Sequence, residues 1–138
     1  MSYTTVKPPV NAPTAPGEWS LSAIVESLSK PIPSNLLENK KLGNRTITYI
    51  PWYRAVLLLN KFAPGWQWEI RSIHSTSDDL FLVGRLTIPT AEGDVYREAT
   101  GTNSLKDAPY GDASSNAESM AFRRAAAKFG LALYLYDR

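Results

Sequence analysis

The chain has 138 residues, 43% hydrophobic and 20% charged, which suits one globular domain with a real core and little to spare. Fifteen basic residues against thirteen acidic leave a net charge of +2, so binding to a polyanion would have to come from clustered charge and not from its total. Cysteine is absent, which excludes disulfides, thiolate zinc sites and cysteine nucleophiles. The chain shows no secretory leader and no apolar run near the ~20 residues of a membrane span, so it reads as soluble, intracellular and cytoplasmic.

Residues 1–17 (MSYTTVKPPVNAPTAPG) are rich in Pro, Thr and small residues. They offer too little apolar surface to offset ordering and read as a flexible tail, leaving 18–138 as the domain. In 20–28, Leu21, Ile24, Val25 and Leu28 fall at helical spacing, and Pro31 and Pro33 stop the helix. A weaker turn or short helix follows through Leu36 and Leu37, and 39–45 (NKKLGNR) reads as a basic loop. The β-branched and aromatic run 46–50 (TITYI) predicts a strand, ended by Pro51, which can also open the helix predicted over 52–62.

From Trp66 the pattern turns to period two, with Trp66, Trp68, Ile70 and Ile73 on one face. Turns at 77–79 and 90–94 separate this strand from strands over 80–88 and 95–102, giving an antiparallel meander. A polar loop then leads to the strongest helix. Ser115 and Glu118 have capping-box spacing, Phe122, Ala125, Ala126 and Phe129 form its apolar stripe, and Gly130 lies just beyond its end. Residues 131–136 (LALYLY) fit a strand or a turn. The order of elements predicts an α+β domain with a three- to four-stranded antiparallel sheet backed by helices.

Two groups of side chains carry chemistry. Arg123, Arg124 and Lys128 project from the last helix outside its apolar stripe, and guanidinium groups on a packed helix bind phosphate from a rigid base. The same pattern describes the solvated face of an amphipathic helix. Lys40, Lys41 and Arg45 precede the strand bearing Tyr49, and Tyr53 and Arg54 follow soon after. Cations interleaved with rings suit single-stranded nucleic acid, because cations track phosphates while rings stack on unpaired bases. A basic surface loop beside a half-buried strand fits these residues equally. Trp66 and Trp68 read as core.

Catalytic candidates are poor, and no catalytic residue, metal or cofactor is expected. His74 stands alone without a nucleophile elbow. Asp78 and Asp79 suit a turn, and the other carboxylates are scattered without a metal-binding pattern. Residues 101–106 (GTNSLK) lack the second glycine of a phosphate loop.

Four stretches in order, RTITYI (45–50), LNKF with Gly65-Trp66, YREATG (96–101) and AFRRAAAKFG with Leu135-Tyr136-Asp137, resemble the Rad52 superfamily of single-strand annealing proteins, including its DdrA-like and phage relatives. The resemblance spans about residues 35 to 137 and implies a β-β-β-α core assembled into rings or arcs that carry single-stranded DNA with its bases exposed. Arg123 and Arg124 match the family's basic pair on the final helix, Lys41 or Arg45 a basic residue before the first strand, and Tyr49 a strand tyrosine near the DNA. Ala127 departs from the pattern, since many relatives carry an arginine one turn after the pair. The segment 106–112 replaces the family's glycine-rich loop.

The expected function is non-enzymatic binding and annealing of single-stranded DNA in homologous recombination and double-strand break repair, by a homo-oligomeric ring or arc. The DNA-binding candidates are Arg123, Arg124, Lys128, Lys40, Lys41, Arg45, Tyr49 and Arg54. A recombinase or single-strand-binding protein is the further kind of partner implied, and the location expected is the cytoplasm, at the nucleoid. An oligomeric protein-interaction or scaffold module with an incidental basic face is the alternative, and a metal-dependent nuclease using Asp78 and Asp79 a third reading.

Overall fold

The computed structural model describes residues 12–106 and 112–137. Residues 1–11 of the expected tail lie outside the described residues. Residues 12–17, however, lie on the domain instead of hanging free. Pro13 is buried, Thr14 bonds to the Glu18 carboxylate, and Pro16 and Pro89 close over Gly65. Rigid proline rings lose little entropy on packing, so even a short apolar contact suffices.

Helix α1 (Leu21–Leu28) begins where Ser20 accepts a hydrogen bond from Ala23 N and turns Ile24 and Leu28 into the core. A 3-10 turn at Ser34–Leu36 follows. The expected loop at 39–45 is instead a hairpin. Strand β1 (Glu38–Leu42) pairs antiparallel with β2 (Arg45–Tyr49) around Gly43-Asn44. Gly43 has φ 64°, as the two-residue turns of hairpins require. The residues ENKKL have low strand propensity and are mostly exposed, so the turn, not the strand, carries the sequence signal. Helix α2 (Trp52–Phe62) has the predicted bounds and buries Ala55 and Leu59.

The meander forms the three-stranded antiparallel sheet β3 (Gln67–Ser75), β4 (Asp79–Thr90) and β5 (Gly93–Ser104), in that order. Strand β4 is central, and Leu82, Leu86 and Ile88 alternate into the core. Helix α3 (Ala113–Ala127) lies across β4 and β5. Its underside is a row of small residues, Ala117, Ala121 and Ala125, all fully buried. At Gly101 a Cβ would collide with the Ala117 carbonyl oxygen. Alanine on the helix and glycine on the strand together bring two backbones closer than larger side chains permit.

The Ser115–Glu118 capping box does not form. The helix starts two residues before Ser115, at Ala113, because Asp112 accepts from Ser115 N at 2.7 Å. Glu118 is thereby released to accept from Trp68 Nε1 at 2.9 Å. Gly130, with φ 106°, ends the helix as expected. Residues 131–136 resolve into Ala132 at φ 59° and a 3-10 turn, Leu133–Tyr136, whose Tyr134 hydroxyl accepts from Ile32 N at 2.9 Å. The molecule is thus α+β with a β-β-β-α run, as predicted, while the fourth expected strand sits in its own ribbon and not in the main sheet.

Candidate functional site

Strand β5 forms one edge of the sheet, and its outward backbone groups need partners. Helix α3 supplies them from one row at fourfold spacing. Thr102 N donates to Met120 Sδ at 3.5 Å, Arg124 Nη1 donates to Thr100 O at 3.2 Å, and Lys128 Nζ donates to Glu98 O at 2.6 Å. These bonds fix both cations on the rim while leaving most of their donors unused: a guanidinium has five N–H groups and an ammonium three. Arg123, one position over, donates from Nε to Ser119 O at 3.2 Å.

Opposite this helix face stands the hairpin. Between them runs a groove of about 340 Å³ whose walls include Lys40, Leu42, Tyr49, Arg123, Arg124 and Tyr136. The Lys40 ammonium and the Arg123 guanidinium each lie 5.3 Å from the centre of the Tyr49 ring, within cation–π range. A second groove continues past Arg124 and Tyr136 to Thr100, Ala127, Lys128 and Leu133. Arg124 and Tyr136 line both.

Of the eight candidates from sequence, the fold therefore gathers Lys40, Tyr49, Arg123, Arg124 and Lys128 along one path. Arg45, opposite Leu42 in the register, shares the face of Lys40 at the hairpin tip. Lys41 is not brought to this path: strand alternation sends it to the other face, beside Thr46. Arg54 is not brought to it either. It ion-pairs with Glu38 at 3.4 Å, donates to Asn35 O and lies over Tyr53, away from both grooves. Tyr136 was not among the candidates. Its signals were its place in the Leu135-Tyr136-Asp137 stretch of the resemblance and a tyrosine at alternate positions in the apolar LYLY, which reads equally as core.

Among the described residues, the ion pairs belong to Arg54, Arg71, Arg85 and Lys106. Among the described residues Lys40, Arg45, Arg123, Arg124 and Lys128, like Lys30, Lys41, Lys61 and Arg97 elsewhere, have no carboxylate ion pair, and no Asp or Glu lines either groove. A small net charge thus leaves a concentrated positive path.

The remaining candidates have other surroundings. Trp66 and Trp68 pack on Phe122, as core residues should, at the floor of an aromatic cleft with Trp52, Val56 and Glu118 that carries no cation. His74 stacks on Phe81 at the surface. Asp78 bonds to Lys106 at 2.8 Å. Among the described residues no three His, Asp or Glu side chains converge as metal ligands, and no helix is long and apolar enough to cross a membrane.

Residues 20–138 match the Rad52/22 family of double-strand break repair proteins. The chain is 38% identical over 128 residues to "DNA repair RAD52-like protein 1, mitochondrial" of Arabidopsis thaliana, covering 91% of this chain and 73% of that protein. It is 41% identical over 120 residues to "DNA repair RAD52-like protein 2, chloroplastic" of the same plant, covering 84% of this chain and 60% of the relative. These relatives overturn the expected cytoplasmic, nucleoid-associated location, since both are named for organelles. Lack of cysteine does not discriminate among compartments inside a cell.

Proposed function

The chain belongs to the Rad52/22 family of double-strand break repair proteins, and from that premise we propose that its positive path holds the backbone of single-stranded DNA and presents the bases for pairing with a complementary strand. Family membership ties the chain to DNA repair and recombination. The finer reading is supported by one observation: Lys40, Arg45, Arg123, Arg124 and Lys128 gather at the two grooves and the hairpin tip, and no Asp or Glu is among the described residues that line the grooves. Phosphate contact by unpaired cations releases counterions and gives salt-dependent, sequence-tolerant affinity. The reaction is strand pairing, and the role assigned to the chain is non-enzymatic: it holds and concentrates the strands.

One subunit presents a short path. Copies arranged in a ring or arc would join their paths end to end, and the domain from residue 18 onward, with residues 12–17 packed on it, is the unit repeated. Exposed Trp52, Leu57, Ile73 and Phe81 supply apolar surface of the kind that subunit contacts bury. The buried Ala127 lies in the second groove with Lys128 beside it. The Lys128 ammonium would take over the backbone contact that many relatives make with an arginine one turn after the pair.

The test replaces Arg123 and Arg124 by glutamine, not alanine, because glutamine still donates a hydrogen bond to Thr100 O while removing the charge. The double variant should stay folded, anneal poorly, and show a salt dependence of oligonucleotide binding shallower by about 1.4 in log–log slope, or ~0.7 for each lost phosphate contact. Unchanged annealing by the folded variant would remove these residues from the proposed role. A scaffold module, the alternative favoured by the exposed apolar surface alone, would assemble yet bind no DNA at any salt concentration.

A further inference from the structure

Where the two grooves meet stands Tyr136, and we infer that its ring is a stacking platform on which one unpaired base of the bound strand rests, mid-path between the cations of the two grooves. The inference rests on the DNA-binding reading above and adds to it a contact that is not electrostatic. Four observations carry it.

Tyr136 lines both grooves, as Arg124 does, so a strand running from Lys40 to Lys128 must pass it. It is 54% exposed, on a short turn whose position is fixed by the buried Leu131 and Ala132 just before it. Its faces are uncommitted among the described residues. Among the described residues Trp52 meets Tyr53, Phe81 meets His74, Tyr96 lies under Arg85, and the Tyr134 hydroxyl holds Ile32 N. Tyr136 alone of these exposed aromatic residues has no ring, cation or hydrogen-bond partner. The fourth observation concerns Tyr49, the aromatic residue singled out from sequence. Its ring already has Lys40 and Arg123 close by and is half-buried. Stacking is thus left to Tyr136.

The geometry of stacking suits a strand awaiting its complement. A ring covers the face of a base and leaves the hydrogen-bonding edge open. It also discriminates by strandedness, since the bases of a duplex are already stacked on both sides. The site therefore takes a nucleobase of any identity, provided that it is unpaired.

The experiment uses the full chain and measures binding of a single-stranded oligonucleotide carrying 2-aminopurine, over a range of salt concentrations, alongside an abasic oligonucleotide of the same length. Tyr136→Leu should weaken binding of the base-bearing strand roughly 5- to 100-fold, with an unchanged salt slope and unchanged affinity for the abasic strand. Tyr136→Phe and Tyr136→Trp should bind like the parent, and 2-aminopurine emission should be quenched by the parent and not by the leucine variant. If Tyr136→Leu binds both strands as the parent does while Arg123→Gln/Arg124→Gln binds weakly, stacking is overturned and the backbone reading stands. If the leucine variant loses salt slope or abasic affinity, Tyr136 acts by placing the cations, and stacking is again overturned. If the glutamine variant also binds normally, the DNA-binding reading itself falls.

Discussion

A single methyl group at position 101 would meet the carbonyl oxygen of Ala117, which belongs to a helix backbone and cannot swing aside. Gly101→Ala should therefore destabilise at the upper end of the ~1–3 kcal/mol usual for overpacking, or beyond it, seen as a lower midpoint in urea unfolding. The variant should also disturb the bonds from Arg124 and Lys128 to β5, because the helix would have to lift. Pairing decides the fate of the surface cations. Arg54 is held by Glu38 and the Asn35 carbonyl, so Arg54→Ala should leave oligonucleotide affinity within twofold of the parent. Lys40→Ala should lower it several-fold at low salt. Equal losses in the two variants, measured by fluorescence anisotropy, would mean that groove position does not matter.

At the scale of elements, the start of α3 depends on one carboxylate. Hydrogen bonds from the Ser115 backbone N–H, then from the Ser114 and Ser115 hydroxyls, hold the Asp112 carboxyl below its ordinary value. A depressed folded-state pKa gives stabilisation that is present above the unfolded value and is lost as pH falls through the folded one. Amides in the first turn of α3 should thus lose protection only in strong acid. Asp112→Asn, which keeps the acceptor without the titration, should remove that pH dependence, as hydrogen exchange can check. Why the cap was misplaced in the sequence is physical. Ser115 and Glu118 have the right spacing, yet Asp112 is a competing acceptor three residues before Ser115, and Glu118 instead accepts from Trp68 Nε1. The helices α1 and α2 and the meander were legible because amphipathic period and turn residues agree there with the tertiary packing. Strand β1 was not legible, since Glu38, Asn39, Lys40 and Lys41 favour no strand and are held in one by the Gly43-Asn44 turn. At the site, helical periodicity correctly put Arg123, Arg124 and Lys128 outside the core. The opposing wall needed the register of the hairpin, which separates Lys40 from Lys41.

Across the whole molecule, five cations gather at the grooves and the hairpin tip, and exposed apolar side chains on α2 and on the sheet include Trp52, Leu57, Ile73 and Phe81. Sedimentation velocity should show assemblies larger than one chain at neutral pH, and Leu57→Glu should shift them toward smaller species without unfolding, since Leu57 is 57% exposed. A purely monomeric parent would refute the joined-path picture. The last consequence belongs to the ribbon of β1 and β2, which hydrogen-bonds to no strand of the main sheet. Two strands alone are marginally stable in water, whereas α3 is locked to β5 along its length. The channel thus has one anchored bank and one compliant bank. Amides of 38–49 should exchange quickly in the free protein and slow when an oligonucleotide binds, while those of β4 stay as they were. On the proposed reading, a bank that gives way would follow the varied contour of a bare strand and firm up around it.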